Sequence, residues 1–323
     1  MDVLFLGHAN TNGCRSRYFF PLLEKAGIQA RYVDTPSGPE RLKLLESLPP
    51  ASVAVVQRLA LSDTEASVLA RKASRLIWDV DDPVMHRSSR HLLSFSPGRR
   101  SRFRRMAARC QALVASSALI AAEGRKVLPA DRVFVVPSTV DAEIYRPGPP
   151  HPAGGTVVLG WLGSAGTLPY LERLGGVLEK VARKADFRLK VVSNRFPSFR
   201  GVEVERKPWK QDEEVSDLQS FDVGLLPLTD DLWTRGKGHG KLFQYLAVGI
   251  PVVGSPVGVV GGTILDGVTG FLPKSKAAWE ESLVRLASDA GLCQRMGRAA
   301  RKDFEERLSV QAVFPTLLQA IRG

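Results

Sequence analysis

Residues 230–255 read DDLWTRGKGHGKLFQYLAVGIPVVGS and hold the densest chemistry in the chain. Gly236, Gly238 and Gly240 open the stretch, a helical pattern runs to Val248, Gly249 stops it and Pro251 begins an apolar run. Leu242, Tyr245 and Leu246 recur at helical spacing and form the buried face. Lys237 and Lys241 are four apart and Gln244 follows three later, so these three are expected on a second stripe. Two ammonium groups, the N–H groups of a glycine-rich turn and a helix N-terminus in one place suit a phosphate or diphosphate. A solvated lysine face is the plain alternative. The flanking runs FDVGLLPL and IPVVGSPVG have the character of buried central strands, which favours a cleft over an outer surface.

A second cluster is WDVDDPVMHR, residues 78–87, at the end of a predicted strand. Asp79, Asp81, Asp82 and His86 crowd four titratable groups together, and such crowding perturbs pKa values. Asp82 or His86 is a candidate to orient and deprotonate a hydroxyl. The alternatives are an N-cap at Asp82 before Pro83, or a carboxylate metal site. A third feature is the run Arg99, Arg100, Arg102, Arg104, Arg105 and Arg109, with Phe103 and Met106 interleaved. It reads as a solvated basic face or as a contact for an anionic membrane surface; no nucleic-acid recognition motif accompanies it.

These groups must be positioned by elements that the apolar pattern announces. Short buried-type runs at 2–7, 28–34, 53–57, 75–80, 112–117 and 133–137 alternate with helical stretches, one of them at 15–26. The alternation stops at 145–155, which holds four prolines and three glycines, and restarts at 157–163, 187–193, 202–208, 221–228 and 251–255. A final helical stretch spans 280–321, with Gly291 and Gly297 as expected breaks. Such runs predict parallel sheets covered on both faces: an N-terminal domain over 1–150 and a C-terminal domain over 151–323, both Rossmann-like α/β units facing a cleft. The loop after the first strand lacks Gly-x-Gly-x-x-Gly, which lowers a nicotinamide-dehydrogenase reading.

Length and composition agree. The 323 residues, 44% of them apolar, suffice for two cores and exclude general disorder. No run reaches the ~18–20 apolar residues of a membrane span. The start MDVLFLGHAN reads as a strand and not a signal peptide, and three scattered cysteines argue against disulfides or zinc, so a cytoplasmic protein is expected. Net charge is +12, and residues 1–150 carry 22 basic against 14 acidic side chains, so the excess leans to that half.

The segment DVGLLPLTDDLWTRGKGHGKLFQYLAVGIPVVGSPVG, followed by LDGVTGFL at 265–272, closely resembles the donor-binding region of glycosyltransferase family 4. GWLGSAGTLPYL, VPSTVDAEIYRP and RMGRAARKDFEERLS are similar to further parts of that family. The resemblance is strong over the second half of the chain and weak over the first. It implies a two-domain GT-B fold whose last helix crosses back to the first domain. It also implies retaining, metal-independent sugar transfer from a UDP- or GDP-sugar to a hydroxyl acceptor, with no cofactor. The acceptor would be a saccharide or lipid-linked precursor of a bacterial surface glycan, placing the protein in the cytoplasm or at the inner face of the membrane.

By the same resemblance, Gly163, Ser164 and Thr167 offer groups to the diphosphate, and Lys237 and Lys241 neutralise the leaving group. His239, Gly240 and Gln244 belong to the donor site, and Asn12, Gly13 and Arg15 face it from the first domain. Trp209 lines the base pocket or simply packs. Three positions depart from the family: Gln244 stands where a ribose-binding glutamate is common, only glycines and Lys237 stand near Gly236, and Val260-Gly261-Gly262 replaces Asn or Glu. The same fold also hosts nucleotide-sugar epimerases, and non-catalytic binding proteins form a second rival class.

Overall fold

A computed structural model describes residues 1–8, 15–91, 93–149 and 155–323. It divides into two compact units. One comprises Met1–Ser138, Asp231–Gly238 and Val310–Gly323; the other comprises Thr139–Asp230 and His239–Ser309.

The first unit is built on six parallel strands: β1 (Asp2–His8), β2 (Gln29–Thr35), β3 (Ala51–Gln57), β4 (Ala73–Val80), β5 (Ala112–Ala115) and β6 (Val133–Val135). Their order is β2-β1-β3-β4-β5-β6. Alternate residues feed two cores. Leu4, Leu6, Ala54, Val56, Leu76 and Trp78 face one side, where Phe103 and Met106 cover them. Val3, Phe5, Val53, Val55 and Ile77 face the other, covered by Phe19, Leu23 and the terminal helix Val310–Arg322 through Val313, Leu317 and Ile321. Strands buried on both faces lose the polar alternation of a half-exposed sheet, which is why they read as apolar runs.

The second unit carries β7 (Val157–Leu162), β8 (Phe187–Val192), β9 (Val204–Lys207), β10 (Val223–Leu226), β11 (Val252–Gly254) and β12 (Gly270–Phe271), in the order β12-β11-β10-β7-β8-β9. This is the Rossmann order, and it reverses direction between β7 and β10. Two glycines let aromatic rings lie against the sheet: a Cβ on Gly160 would sit 1.9 Å from the Phe221 ring, and one on Gly224 would sit 2.7 Å from Tyr245.

Several sequence expectations change. The first unit closes at Ser138, before the expected boundary at 150, because the segment from Thr139 onward is tied into the second unit. Arg301 donates to the carbonyls of Ala142 and Tyr145, and Gln219 Nε2 donates to that of Arg146. Residues 15–26 split into a 3-10 turn, Arg15–Phe19, and a short helix, Phe20–Lys25. The C-terminal stretch breaks before Ala290 and at Ser309, not at Gly291 or Gly297, both of which lie inside the helix Ala290–Asp303. Gly297 serves close packing, since its Cβ would lie 2.2 Å from the Gly249 carbonyl oxygen. The two-residue β12 is too short to announce itself in the sequence. The centre of the Pro/Gly stretch, 150–154, lies outside the described residues.

Candidate functional site

In a doubly wound sheet, ligands meet the carboxyl ends of the strands where the strand order reverses. Helices that follow parallel strands run back across them, so their N-termini collect at that edge. In the second unit the helix Gly240–Ala247 follows β10, and Tyr245 on it accepts a 3.0 Å hydrogen bond from the backbone N–H of Leu162, the last residue of β7. That bond anchors the helix at the switch between β7 and β10.

The same helix carries Lys241 and Gln244, and both point to a residue that no local pattern announces, Glu214. Its Oε2 accepts from Lys241 Nζ at 2.9 Å and from the Trp209 indole N–H at 2.9 Å. Its Oε1 accepts from the Tyr145 hydroxyl at 2.9 Å and from Gln244 Nε2 at 2.6 Å. Gln244 Nε2 also reaches the Tyr145 oxygen at 2.9 Å, whereas Gln244 Oε1 is buried with no partner among the described residues. Burial would raise the Glu214 carboxyl, but Lys241 and the hydrogen bonds outweigh it and hold the group below the usual glutamate range. Burial pushes Lys241 below the usual lysine range, with Glu214 opposing. Trp209 is 39% exposed, and its indole N–H is fixed by Glu214.

The turn after β7 is closed on itself. The Gly163 N–H donates to the Val192 carbonyl, and the Thr167 N–H and hydroxyl both donate to the Ser164 carbonyl. The Gly163 amide and Thr167 hydroxyl expected to meet a diphosphate are thus engaged, the first with the end of β8 and the second within the turn, and Ser164 stands exposed at its tip. Gly163 is needed sterically, because a Cβ there would meet the Trp161 ring at 2.5 Å.

The glycine-rich turn also differs from expectation. Lys237 ends a short helix, Leu232–Gly236, with extended backbone, and His239 takes a left-handed conformation (φ 48°) before the next helix begins at Gly240. Lys237 and Lys241 therefore do not share one helical stripe. Lys237 lies in the first unit and Lys241 in the second. Two of the turn amides are engaged: Lys237 N–H donates to the Trp233 carbonyl and Gly238 N–H to that of Asp81. Gly236 and Gly238 serve packing within the first unit, where added Cβ atoms would meet Pro83 at 2.5 Å and the Ser138 hydroxyl at 2.1 Å. His239 is buried, and its carbonyl accepts from the Leu242 N–H.

At the carboxyl ends of β3 and β4 the first unit gathers its acids. Asp79 accepts from Gln57 at 2.8 Å, and Gln57 in turn accepts from the Ser16 hydroxyl at 2.9 Å. Asp81 forms a bidentate pair with Arg58, whose φ of 59° is left-handed. Asp82 remains. Burial, with Asp81 adding, pushes its carboxyl above the usual aspartate range, and Lys237 and Arg58 oppose. No helix follows Pro83, so the N-cap reading of Asp82 does not hold. His86 separates from the acids: it is buried, its Nδ1 has no partner among the described residues, and the charges acting on it are Arg100 and Glu123. Burial, with Arg100, holds it neutral-prone, below the usual histidine range.

Asn12 and Gly13 lie outside the described residues; Arg15 opens the 3-10 turn. The arginine run forms the helix Pro97–Ala108 and its end, and much of its charge is committed. Arg100 and Arg104 bind Glu123, and Arg109 binds Asp63. Among the described residues no group of three His, Cys, Asp or Glu could hold a metal ion, and no helix is long and apolar enough to cross a membrane.

No family model and no curated protein matches the chain. Solved structures do. Sucrose-phosphate synthase from Thermosynechococcus elongatus superposes with a TM-score of 0.71 at 13% identity, covering 100% of this chain and 98% of that one. HepE from Anabaena, in complex with UDP and glucose, gives 0.67 at 14% identity, covering 100% and 99%. A glycosyltransferase from Rickettsia africae gives 0.68 at 12% identity, covering 99% and 97%. The fold is therefore the GT-B fold, with two Rossmann-like α/β domains.

Proposed function

We propose that the protein is a glycosyltransferase that moves a sugar from a nucleoside-diphosphate donor to a hydroxyl acceptor. The observation that carries this reading is the Lys241 ammonium, held at the β7/β10 switch of a GT-B fold with Gln244 and Trp209 beside it. Of the three ammonium protons one goes to Glu214, which leaves two for phosphate oxygens. A cation fixed in this way gains most when the diphosphate departs and its charge rises, so it acts on the transition state more than on donor binding. In this reading protein cations replace a metal, and Trp209 offers its face to the nucleobase.

Asp82 is the acceptor-side group. Its raised pKa suits a carboxyl that accepts a hydrogen bond from the attacking hydroxyl and orients it. Retention at the anomeric carbon, a UDP- or GDP-linked donor and a surface-glycan or lipid-linked acceptor belong to the proposal through the resemblance to glycosyltransferase family 4. HepE, whose complexes hold UDP and UDP-glucose, supports the donor class. Exposed Leu93 and Phe95, next to the exposed Arg99 and Arg102, support an anionic membrane surface as the place where such an acceptor is met.

The test is calorimetry with UDP and GDP, then incubation with radiolabelled UDP- and GDP-sugars with and without saccharide acceptors. Binding plus acceptor-dependent label transfer supports the reading. Label released or epimerised without acceptor indicates the epimerase rival, and no binding of either nucleotide at millimolar concentration indicates a non-catalytic protein.

A further inference from the structure

We infer that Glu214 is a positioning residue of the donor site: its carboxylate, fixed by Tyr145, Trp209 and Gln244, aims the Lys241 ammonium and keeps it charged. This rests on the donor-site reading above and adds a residue to it.

The geometry is that of a built holder. One carboxylate receives four donors from three separate parts of the second unit: Tyr145, the β9 loop with Trp209, and the helix bearing Lys241 and Gln244. Tyr145 is itself pinned, since Arg301 donates to its carbonyl at 2.7 Å. The Glu214 side chain is 12% exposed against 33% for Lys241, so the holder is the more deeply buried of the two. Lysine is a flexible point charge, and a fixed carboxylate behind it removes that freedom.

The same arrangement accounts for Gln244. A glutamate at 244 would set two carboxylates at hydrogen-bond distance, with Tyr145 unable to separate their charges. A neutral amide donates instead of repelling. The carboxylate of this corner stands at the start of the helix Glu214–Gln219, where it pairs with Lys241, while the helix Gly240–Ala247 offers it the neutral amide.

The charge state is set by the same contacts. Burial works against the ammonium, and Glu214 is the charged group that counters it. Of the other groups packed here, Trp209 and Gln244 do not titrate, and the Tyr245 phenol is driven by burial well above its ordinary range and stays neutral. The Tyr145 hydroxyl donates to Glu214.

The experiment measures binding of UDP and GDP by calorimetry from neutral to alkaline pH for the intact chain, Glu214→Gln, Lys241→Arg and the double variant. In parallel, the ε-carbon resonances of 13C-labelled lysine are titrated without nucleotide, with Lys241 assigned by its loss in Lys241→Arg. Glu214→Gln is expected to move both the alkaline limb of binding and the Lys241 resonance acidward by about one pH unit, a tenfold change in charged fraction. Arginine does not deprotonate, so Lys241→Arg and the double variant are expected to bind without that limb. An unmoved Lys241 resonance in Glu214→Gln overturns the inference, and so does a limb that persists in Lys241→Arg, which decides the matter even where Glu214→Gln does not fold. If the intact chain binds neither nucleotide at any pH, the donor-site reading falls, while the lysine titration still decides what Glu214 does.

Discussion

Replacing Gln244 by glutamate should destabilise the protein at neutral pH. The new carboxylate would stand where Gln244 Nε2 now lies 2.6 Å from Glu214. Two ionised carboxylates so close repel by ~6 kcal/mol at an effective dielectric of about 20. The pair escapes by keeping one proton, which sets a ceiling. Holding a glutamate with an ordinary pKa of about 4.3 protonated at pH 7 costs ~3.7 kcal/mol, and the Lys241 charge lowers the figure, so ~2–3 kcal/mol is expected. The sign with pH is definite. A carboxyl whose pKa is raised on folding binds its proton more tightly in the folded state, so its penalty is full above the folded pKa. It fades as pH falls toward the unfolded value near 4.3. Urea denaturation of Gln244→Glu and the intact chain, at pH 7 and at pH 5, measures the difference. The exchange variant, Glu214→Gln with Gln244→Glu, leaves one carboxylate in the corner and should recover most of the loss. An equal destabilisation at both pH values, unrelieved in the exchange variant, would refute the reasoning.

Lys241→Met removes a cation with two protons free for phosphate and should raise the dissociation constant for UDP or GDP by roughly 30–150-fold, the equivalent of ~2–3 kcal/mol, in calorimetry. Asp82→Asn should leave that constant unchanged and slow label transfer to acceptor; equal loss of both would contradict an acceptor-side role. Glu123, held at about 2 by Arg100, Lys126 and Arg104 against the opposing effect of burial, should contribute ~2 kcal/mol of stability after allowance for its half-exposed partners. That contribution is present above pH ~4.5 and lost as pH falls toward 2. Glu123→Gln should therefore lower the melting temperature at pH 7 and change it little near pH 2.

How far the sequence carries depends on whether a feature is local. Eleven of the described strands, all but β12, correspond to runs read from the sequence, and the clearest are those buried on both faces of a parallel sheet, as in VAVVQ of β3 and VVLGWL of β7. The helix Gly240–Ala247 and its i, i+3 pair Lys241 and Gln244 are legible for the same reason. Spacing misplaces Lys237 because a repeat of four implies a common face only if the helix is continuous. The left-handed His239 interrupts it, and nothing in the local residue types demands that conformation. The glycines mislead in a related way: a glycine required by a neighbouring side chain reads like one required by a ligand. Gly238 is excluded from carrying a Cβ by Ser138, a hundred residues away. Glu214 leaves no local mark, since its partners Tyr145 and Gln244 lie 69 and 30 positions distant.

In the proposed reading, the charge pattern of the second unit bears on catalysis more than on affinity. A lone buried ammonium would bind any phosphate strongly and would be inclined to shed its proton. Paired with Glu214, Lys241 is close to neutral as a unit, so the resting site attracts a donor only moderately while the cation stays charged and aimed. The reaction then supplies the difference. As the glycosidic bond breaks, a phosphate oxygen gains negative charge beside a fixed cation that needs no reorganisation to meet it. A site so arranged spends little of its electrostatic energy on the ground state and reserves it for the departing diphosphate. In the proposed reading, the carboxylate behind the lysine and the neutral amide at 244 that accommodates it hold this cation in place for the departing diphosphate.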